Sequence, residues 1–248
     1  NDTTYTSKGL GDIVLIKYDA DGLETWVKSY GDASRQDGQA VAVDSDGNVI
    51  IAGHFAGTLN FGTLAETELV SQGYTDIYLA KLDSNGNHIW SYSFGDTGWQ
   101  YAYDVAVDSS DNIYLAGDFE DTVDFGGGAL TATASDIYLA KFDSDGQPLW
   151  SKRFGGPGDQ FCNAVSAIGN SAVAIAGNFY GTLNLGGDDL VSDTLTDIYF
   201  GIFTASGSHG TSDSFGDAAD QNLGDMTFDG DALYVTGSNK GTIHLDRD

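Results

Sequence analysis

Apolar residues in this chain gather into short runs of about four to eight positions, each closed by Gly, Asp, Asn or Ser. No stretch combines an apolar stripe at helical spacing with helix-capping residues, so the pattern predicts an all-β chain. Residues 103–154 show it most plainly, with runs at 103–107, at 112–119 extended over 122–125, at 136–142 and at 149–154. The first two are joined by Asp108-Ser-Ser-Asp-Asn, matched one repeat earlier by Asp44-Ser-Asp-Gly-Asn. The third and fourth are joined by Asp143-Ser-Asp-Gly, matched by Asp19-Ala-Asp-Gly, Asp83-Ser-Asn-Gly and Thr204-Ala-Ser-Gly. Asp, Asn and Gly accept the positive φ of tight hairpins, so each unit is predicted to be an up-and-down meander of four antiparallel strands.

The unit recurs along the chain. Asp76-Ile-Tyr-Leu-Ala-Lys leads to Trp90, Asp136-Ile-Tyr-Leu-Ala-Lys to Trp150, and Asp12-Ile-Val-Leu-Ile-Lys to Trp26. Asp197-Ile-Tyr-Phe-Gly departs from the pattern, with Ile202 in place of Lys and the Trp lost. The leading aspartates stand 64, 60 and 61 residues apart, a fixed period that marks a stack or ring of similar units. One four-stranded meander per period is a β-propeller blade. The chain is therefore expected to be a single β-propeller domain over residues 1–248, with repeat units starting near 12, 76, 136 and 197. Residues 225–245 supply two strands of a last unit, and residues 12–30 supply a third and fourth strand without a first two. The termini are thus expected to form a composite closing blade, the fourth of the ring, which would remove the open sheet edges. The alternative architecture is a piece of a longer array.

Composition narrows the function classes. Hydrophobic residues make up 41%, enough for a packed core, and 34 Gly against 2 Pro suit many tight turns. No apolar run approaches the roughly 20 residues of a membrane span. Lys and Arg total 10 against 37 acids, and a net charge of -27 makes nucleic acid and anionic membranes poor partners. The acidic excess reads either as solubility in a salty or extracellular setting or as affinity for divalent cations. Apart from Glu24, Glu66, Glu68 and Glu120 it is all Asp, which suits turns as well as Ca²⁺. The single Cys162 excludes an intrachain disulfide and is expected to pack as a small hydrophobe. The chain opens on Asn1 without a signal-like apolar segment, as expected of a processed or excised mature domain.

Three motifs carry a family resemblance: Ala-Val-Asp-Ser-Asp-Gly-Asn-Val-Ile-Ile-Ala-Gly at 42–53, the repeated Asp-Ile-Tyr-Leu-Ala-Lys, and Trp-Ser-Lys-Arg-Phe-Gly at 150–155. Over essentially its whole length the chain resembles the bacterial β-propeller repeat family (SBBP type) common in secreted and surface proteins. The resemblance implies an extracellular or cell-surface, non-enzymatic role, and it carries over no catalytic residues.

Candidate chemistry centres first on the Asp-rich turns. A calcium loop of the form Asp-x-Asp-x-Asp-Gly would need an acid two residues before Asp19, Asp83 and Asp143, where the chain has Lys17, Lys81 and Lys141; before Asp44 it has Ala42. Turn geometry is therefore the preferred reading, with no cofactor expected and Ca²⁺ the alternative. Asp12, Asp76, Asp136 and Asp197 are read as bonding the backbone where a strand begins, rather than as metal ligands. Trp26, Trp90 and Trp150 are expected to fill the gaps between blades. His54, His88, His209 and His244 share no single repeat position and suggest neither a triad nor a zinc site.

In such a meander the Asp-Gly hairpins share one face. The variable connections, 31–39, 95–103, 155–163 and 216–224, together with stretches such as 56–75, share the other. Five residues after Gly31, Gly95, Gly155 and Gly216 stand Gln36, Gln100, Gln160 and Gln221, one per unit. Either each amide ties down its loop, or a ring of amides flanked by Asp37, Trp99, Tyr101, Asp159, Phe161 and Asp220 holds a polyhydroxyl or peptide ligand. The expected function is a binding or adhesion module for glycan or peptide. A structural module capable of self-assembly is the second reading. An enzyme is third, because no nucleophile or paired acid and base stands out by spacing.

If the Asp-Gly turns are geometric, EDTA leaves the melting temperature unchanged in moderate salt. A drop on chelation that Ca²⁺ restores would overturn this reading.

Overall fold

The computed structural model describes residues 4–62 and 67–243, and within them the chain is a succession of antiparallel sheets. It opens with the hairpin β1 (Ile13–Tyr18) and β2 (Glu24–Tyr30). Blade one follows: β3 (Gln36–Val43), β4 (Val49–Phe55), the small ribbon β5 (Thr58–Asn60) and β6 (Glu68–Val70), then β7 (Asp76–Leu82) and β8 (His88–Phe94). Blade two has β9 (Gln100–Val107), β10 (Ile113–Phe119), the ribbon β11 (Thr122–Asp124) and β12 (Ala129–Thr131), β13 (Asp136–Phe142) and β14 (Pro148–Phe154). Blade three has β15 (Gln160–Ile168), β16 (Ala172–Phe179), the ribbon β17 (Thr182–Asn184) and β18 (Asp189–Val191), β19 (Asp197–Thr204) and β20 (His209–Phe215). The chain closes with β21 (Gln221–Phe228) and β22 (Leu233–Asn239). The three blades are four-stranded sheets ordered β3-β4-β7-β8, β9-β10-β13-β14 and β15-β16-β19-β20, the arrangement of a β-propeller-like fold.

Two expectations need correction. The stretches after each second strand are not plain loops: 58–60 with 68–70, 122–124 with 129–131 and 182–184 with 189–191 pair as two-stranded ribbons. Nor is the composite closing blade found among the described residues, where β1 pairs only with β2, and β22 only with β21. Each half-sheet is instead held to the complete blade beside it. Lys17 Nζ and Trp26 Nε1 donate to Ser84 O at 2.8 and 3.2 Å, and Asn178 bonds Gln221 O and Leu223 N at 2.7 and 3.0 Å. Residues 244 and 245 of the expected last strand, with His244, lie outside the described residues, as does Glu66.

Blades cover one another face to face. Ile77 and Leu79 of blade one pack with Tyr138, Ala140 and Phe142 of blade two; Ile137 and Leu139 pack with Tyr199 and Phe203 of blade three. Because β7 and β13 are covered on both faces, Asp-Ile-Tyr-Leu-Ala-Lys is a nearly continuous apolar run rather than an alternating one. Each fully buried Leu, Ile or Phe contributes roughly 1.5–3 kcal/mol. The tryptophans bridge blades as expected: Trp150 Nε1 donates to Ala205 O at 3.1 Å, repeating the Trp26 contact, and Trp90 packs against the core between blades one and two. Cys162 is buried, as expected of a small hydrophobe.

The turn aspartates bond the backbone. Asp44 Oδ1 accepts from Asp46 N and Asn48 N at 3.0 and 2.8 Å, and Asp83, Asp108 and Asp143 repeat this geometry. Gly47, Gly86 and Gly146 take the positive φ of these turns, 75–79°. The aspartates that open the third strands do the same job at the other end: Asp76 accepts from Gln72 N and Asp136 from Thr133 N, both at 3.0 Å.

Every second strand also depends on a glycine. The first strand carries a bulge, between Ala102 and Asp104 in blade two, opposite Ala116 and Gly117, and between Cys162 and Ala164 in blade three, which swings a carbonyl toward the partner strand. A Cβ at Gly117 would overlap Tyr101 O, and one at Gly177 would overlap Phe161 O. Gly117→Ala is therefore expected to cost about 1–3 kcal/mol by overpacking, read as a lower urea midpoint with an unchanged slope. An unchanged midpoint would show that the bulge relaxes freely.

Candidate binding face

Antiparallel order fixes which loops meet. The hairpins after first and third strands gather at one end, where Ser45 of blade one bonds Asp111 of blade two at 2.6 Å. The connections between blades gather at the other.

At that second end the four glutamines lie beneath the surface, 0–1% exposed. Each carbonyl accepts from a backbone N–H four residues earlier: Asp32, Asp96, Gly156 and Asp217, at 3.1–3.3 Å. Each amide nitrogen donates to the residue just past the second strand: Ala56 O, Glu120 O, Tyr180 O and Lys240 O, at 3.0–3.3 Å. The repeated Gln thus staples the interblade loop to the strand end. Solvent meets its two neighbours instead. Before it stand Arg35, Trp99, Asp159 and Asp220, and after it Asp37, Tyr101, Phe161 and Asn222.

Those flanking positions differ from blade to blade, and at the seam between blades one and two they are aromatic. Trp99, 39% exposed, stacks on Tyr74 at 4.9 Å with 10° between planes, and on Tyr101 at 6.0 Å; Tyr101 stacks on Tyr103 at 5.9 Å. Four rings form one column that starts at exposed Tyr74 and runs down the innermost strand β9. Beside it His54 meets Tyr101 edge to face at 4.8 Å and lies 3.3 Å from Asp37, which also holds Arg35 at 2.7 Å. Burial lowers the His54 pKa, with Asp37 opposing, so the imidazole is neutral at neutral pH. Around the other seams the face is acidic. Asp159 Oδ1 accepts from Ser135 N at 3.4 Å, and Asp220 pairs with Lys240 at 3.3 Å. Phe161 is half-buried, with its carbonyl held by Tyr199 Oη at 3.2 Å.

Tyr74, Tyr103, Arg35 and His54 were missed by reading single repeat positions. One signal was available: the residue before the repeated Phe of each second strand is polar within a buried run, as His54, Asp118 and Asn178. In blade three that residue, Asn178, clamps the next inner strand. In blade two it is Asp118, 2% exposed, bonded by Ser135 Oγ at 3.2 Å with its other oxygen unpartnered among the described residues. Burial pushes the Asp118 carboxyl up to about 8, with Glu120 and Asp159 adding to the rise and Ser135 opposing it.

This chain is similar to an uncharacterized WD repeat-containing protein of Acanthamoeba polyphaga mimivirus, 29% identical over 109 residues, which is 42% of this chain and 8% of that protein. It is also similar to the regulatory protein FlaEY of Caulobacter vibrioides, 28% identical over 153 residues, 60% of this chain and 16% of that protein. The chain therefore spans a small part of either relative. No protein-family model matches it. The repeated sheets and the WD-repeat likeness agree. The protein is a β-propeller-like repeat protein. No helix among its described residues is long and apolar enough to cross a membrane.

Asp118 gives a pH test. Its folded pKa lies above the unfolded value of about 3.9, so its neutral form favours folding fully below pH 4, and that contribution is lost as pH rises through about 8. Asp118→Asn cannot ionise, so its melting temperature should gain steadily on the parent between pH 5 and about 9. Parallel pH curves for the two proteins would remove the buried carboxyl from the account.

Proposed function

We propose that this protein is a non-catalytic, repeat-based binding module that takes a protein or peptide segment on the face of the interblade loops. One observation carries the reading: the Tyr74–Trp99–Tyr101–Tyr103 column, open to solvent at one end and set in a rigid sheet at the other. Stacked rings on a rigid support offer large contact area at low entropic cost, the character of interface hot spots. The WD-repeat likeness supports a protein partner over a small-molecule substrate.

Charge narrows the partner further. With a net charge of -27, with Glu120 bonded to Trp99 and Asp121 against Gly98, the face suits a basic segment. Arginine fits best, because its planar guanidinium stacks on aromatic faces while its charge meets the surrounding acids. The strongly acidic surface also suits a secreted or surface-exposed protein.

Arrays of arginine-rich peptides, neutral aromatic peptides and glycans, probed with parent and variants, test the reading. The parent should select the arginine-rich set, and Trp99→Ala should weaken binding by roughly 1–3 kcal/mol while changing stability little. Gln100→Ala should do the reverse, costing about 1 kcal/mol or more of stability and leaving affinity intact. Glycan-only binding, or peptide binding indifferent to Trp99, would sink the proposal.

A further inference from the structure

Asp76, Asp136 and Asp197 open the third strands of the three blades, at the end that carries the aromatic column, and their exposures are 1%, 0% and 5%. Each keeps one oxygen without a hydrogen-bond partner among the described residues. What differs is the counter-charge. Arg153 of β14, across from Tyr138, lays its guanidinium on Asp136, with Nε 2.6 Å from Oδ2 and Nη2 3.4 Å from Thr133 Oγ1. In blades one and three Ser93 and Ser214 stand at that place, across from Tyr78 and Tyr199. Neither Asp76 nor Asp197 forms an ion pair among the described residues.

A second position changes with the first. Just past the glycine that follows each fourth strand stand Asp96 in blade one and Asp217 in blade three, but Gly156 in blade two. The blade with its own arginine lacks this acid, and the blades with serine keep it. Asp217 is fastened to Ala219 N and Thr242 N, so it adds mainly charge. Burial raises the carboxyls of Asp76 and Asp197, the second to about 6; Asp96 adds to the first rise, and Asp193 and Asp217 add to the second. Buried acids facing further acids without a cation are costly, and a positive group that joins them relieves the cost. The shape for such a group is also present. Thr194 stands three residues before Asp197, as Thr133 stands before Asp136, and keeps the hydroxyl that Arg153 uses. The Arg153 side chain is 31% exposed, so a cradle built this way opens to solvent.

We propose that Asp76 and Asp197 each receive an arginine side chain of the bound segment, in the pose that Arg153 takes on Asp136; this rests on reading that face as the site of a basic segment. At Asp76 the cradle adjoins the ring column. Tyr74 stands two residues before it, Tyr74 N donates to Gly98 O, and Thr75 bridges Trp99, so a guanidinium on the carboxylate lies beside the exposed end of the stack. Lysine fits less well, because a point charge cannot span two acceptors as a planar fork does. Blade two supplies its own arginine and stands between the two cradles, so the segment carries its two arginines apart.

The probe is a labelled peptide of alternating arginine and glycine, followed by fluorescence anisotropy beside its lysine and citrulline versions. Ser93→Arg and Ser214→Arg fill the cradles from within. Each should raise the melting temperature and weaken the arginine peptide about fivefold, and the double variant should weaken it further. Ser109→Arg, at the hairpin end, adds the same charge and should leave affinity unchanged. The parent should bind the lysine and citrulline peptides less tightly than the arginine one. Filled variants that bind no more weakly than Ser109→Arg, filled variants that melt below the parent, or a parent without preference for arginine would each overturn the proposal. Its failure is distinct from that of the column. If Trp99→Ala weakens binding and the filled variants do not, the column stands and the cradles fall; if the filled variants weaken it and Trp99→Ala does not, the cradles stand and the column falls.

Discussion

No sheet in this protein can stand alone, because the third strand of each blade is apolar on both faces. A strand such as Asp76–Leu82 is buried only if another blade lies against each side of its sheet. That single requirement explains the near-identity of the repeats at Asp-Ile-Tyr-Leu-Ala-Lys, the tryptophans reaching across to the next blade, and the lysines buried against a neighbouring hairpin. It also explains why the ends of the structure look different from the middle. Tyr138, Ala140 and Phe142 vanish into the seam between blades one and two, while their counterparts Val14, Ile16 and Tyr18 in hairpin β1–β2 are exposed.

In the function proposed here, scaffold and recognition are divided residue by residue. The glutamines recur because each loop must be fastened at the same place; a buried amide satisfied on both sides is a device for holding backbone. Their neighbours carry no such duty, so one seam could become aromatic while the others became acidic. The stack on Trp99 is therefore precise without being part of the repeat. It borrows the rigidity of β9 and of the staple beneath it.

Most of the architecture was legible in the sequence, since hairpin chemistry and a period near 60 residues are local signals. The third strand of blade two was read to the residue, at 136–142. The first strand was read short, at 103 rather than Gln100, because Trp99, Gln100 and Tyr101 look like a loop until the preceding blade's Thr75 is there to bridge Trp99. Pairing between the termini was the larger error. Sequence shows that β1 and β22 are complementary, but complementarity does not say whether both lie within reach in one molecule. At the site, Trp99 and Tyr101 were legible as departures from the repeat. Tyr74 and His54 were not, because they enter the column from a different blade and only folding brings them beside it.

The buried carboxyl of Asp118 has a thermodynamic consequence of its own. An unfolded chain at neutral pH carries this side chain as an anion, and the folded one carries it mostly as the neutral acid, so folding draws a proton from solution. The heat of unfolding therefore includes the heat of protonating whichever buffer receives that proton. Phosphate and Tris, which differ widely in that heat, would report different enthalpies for the same transition, and the slope between them would count the proton.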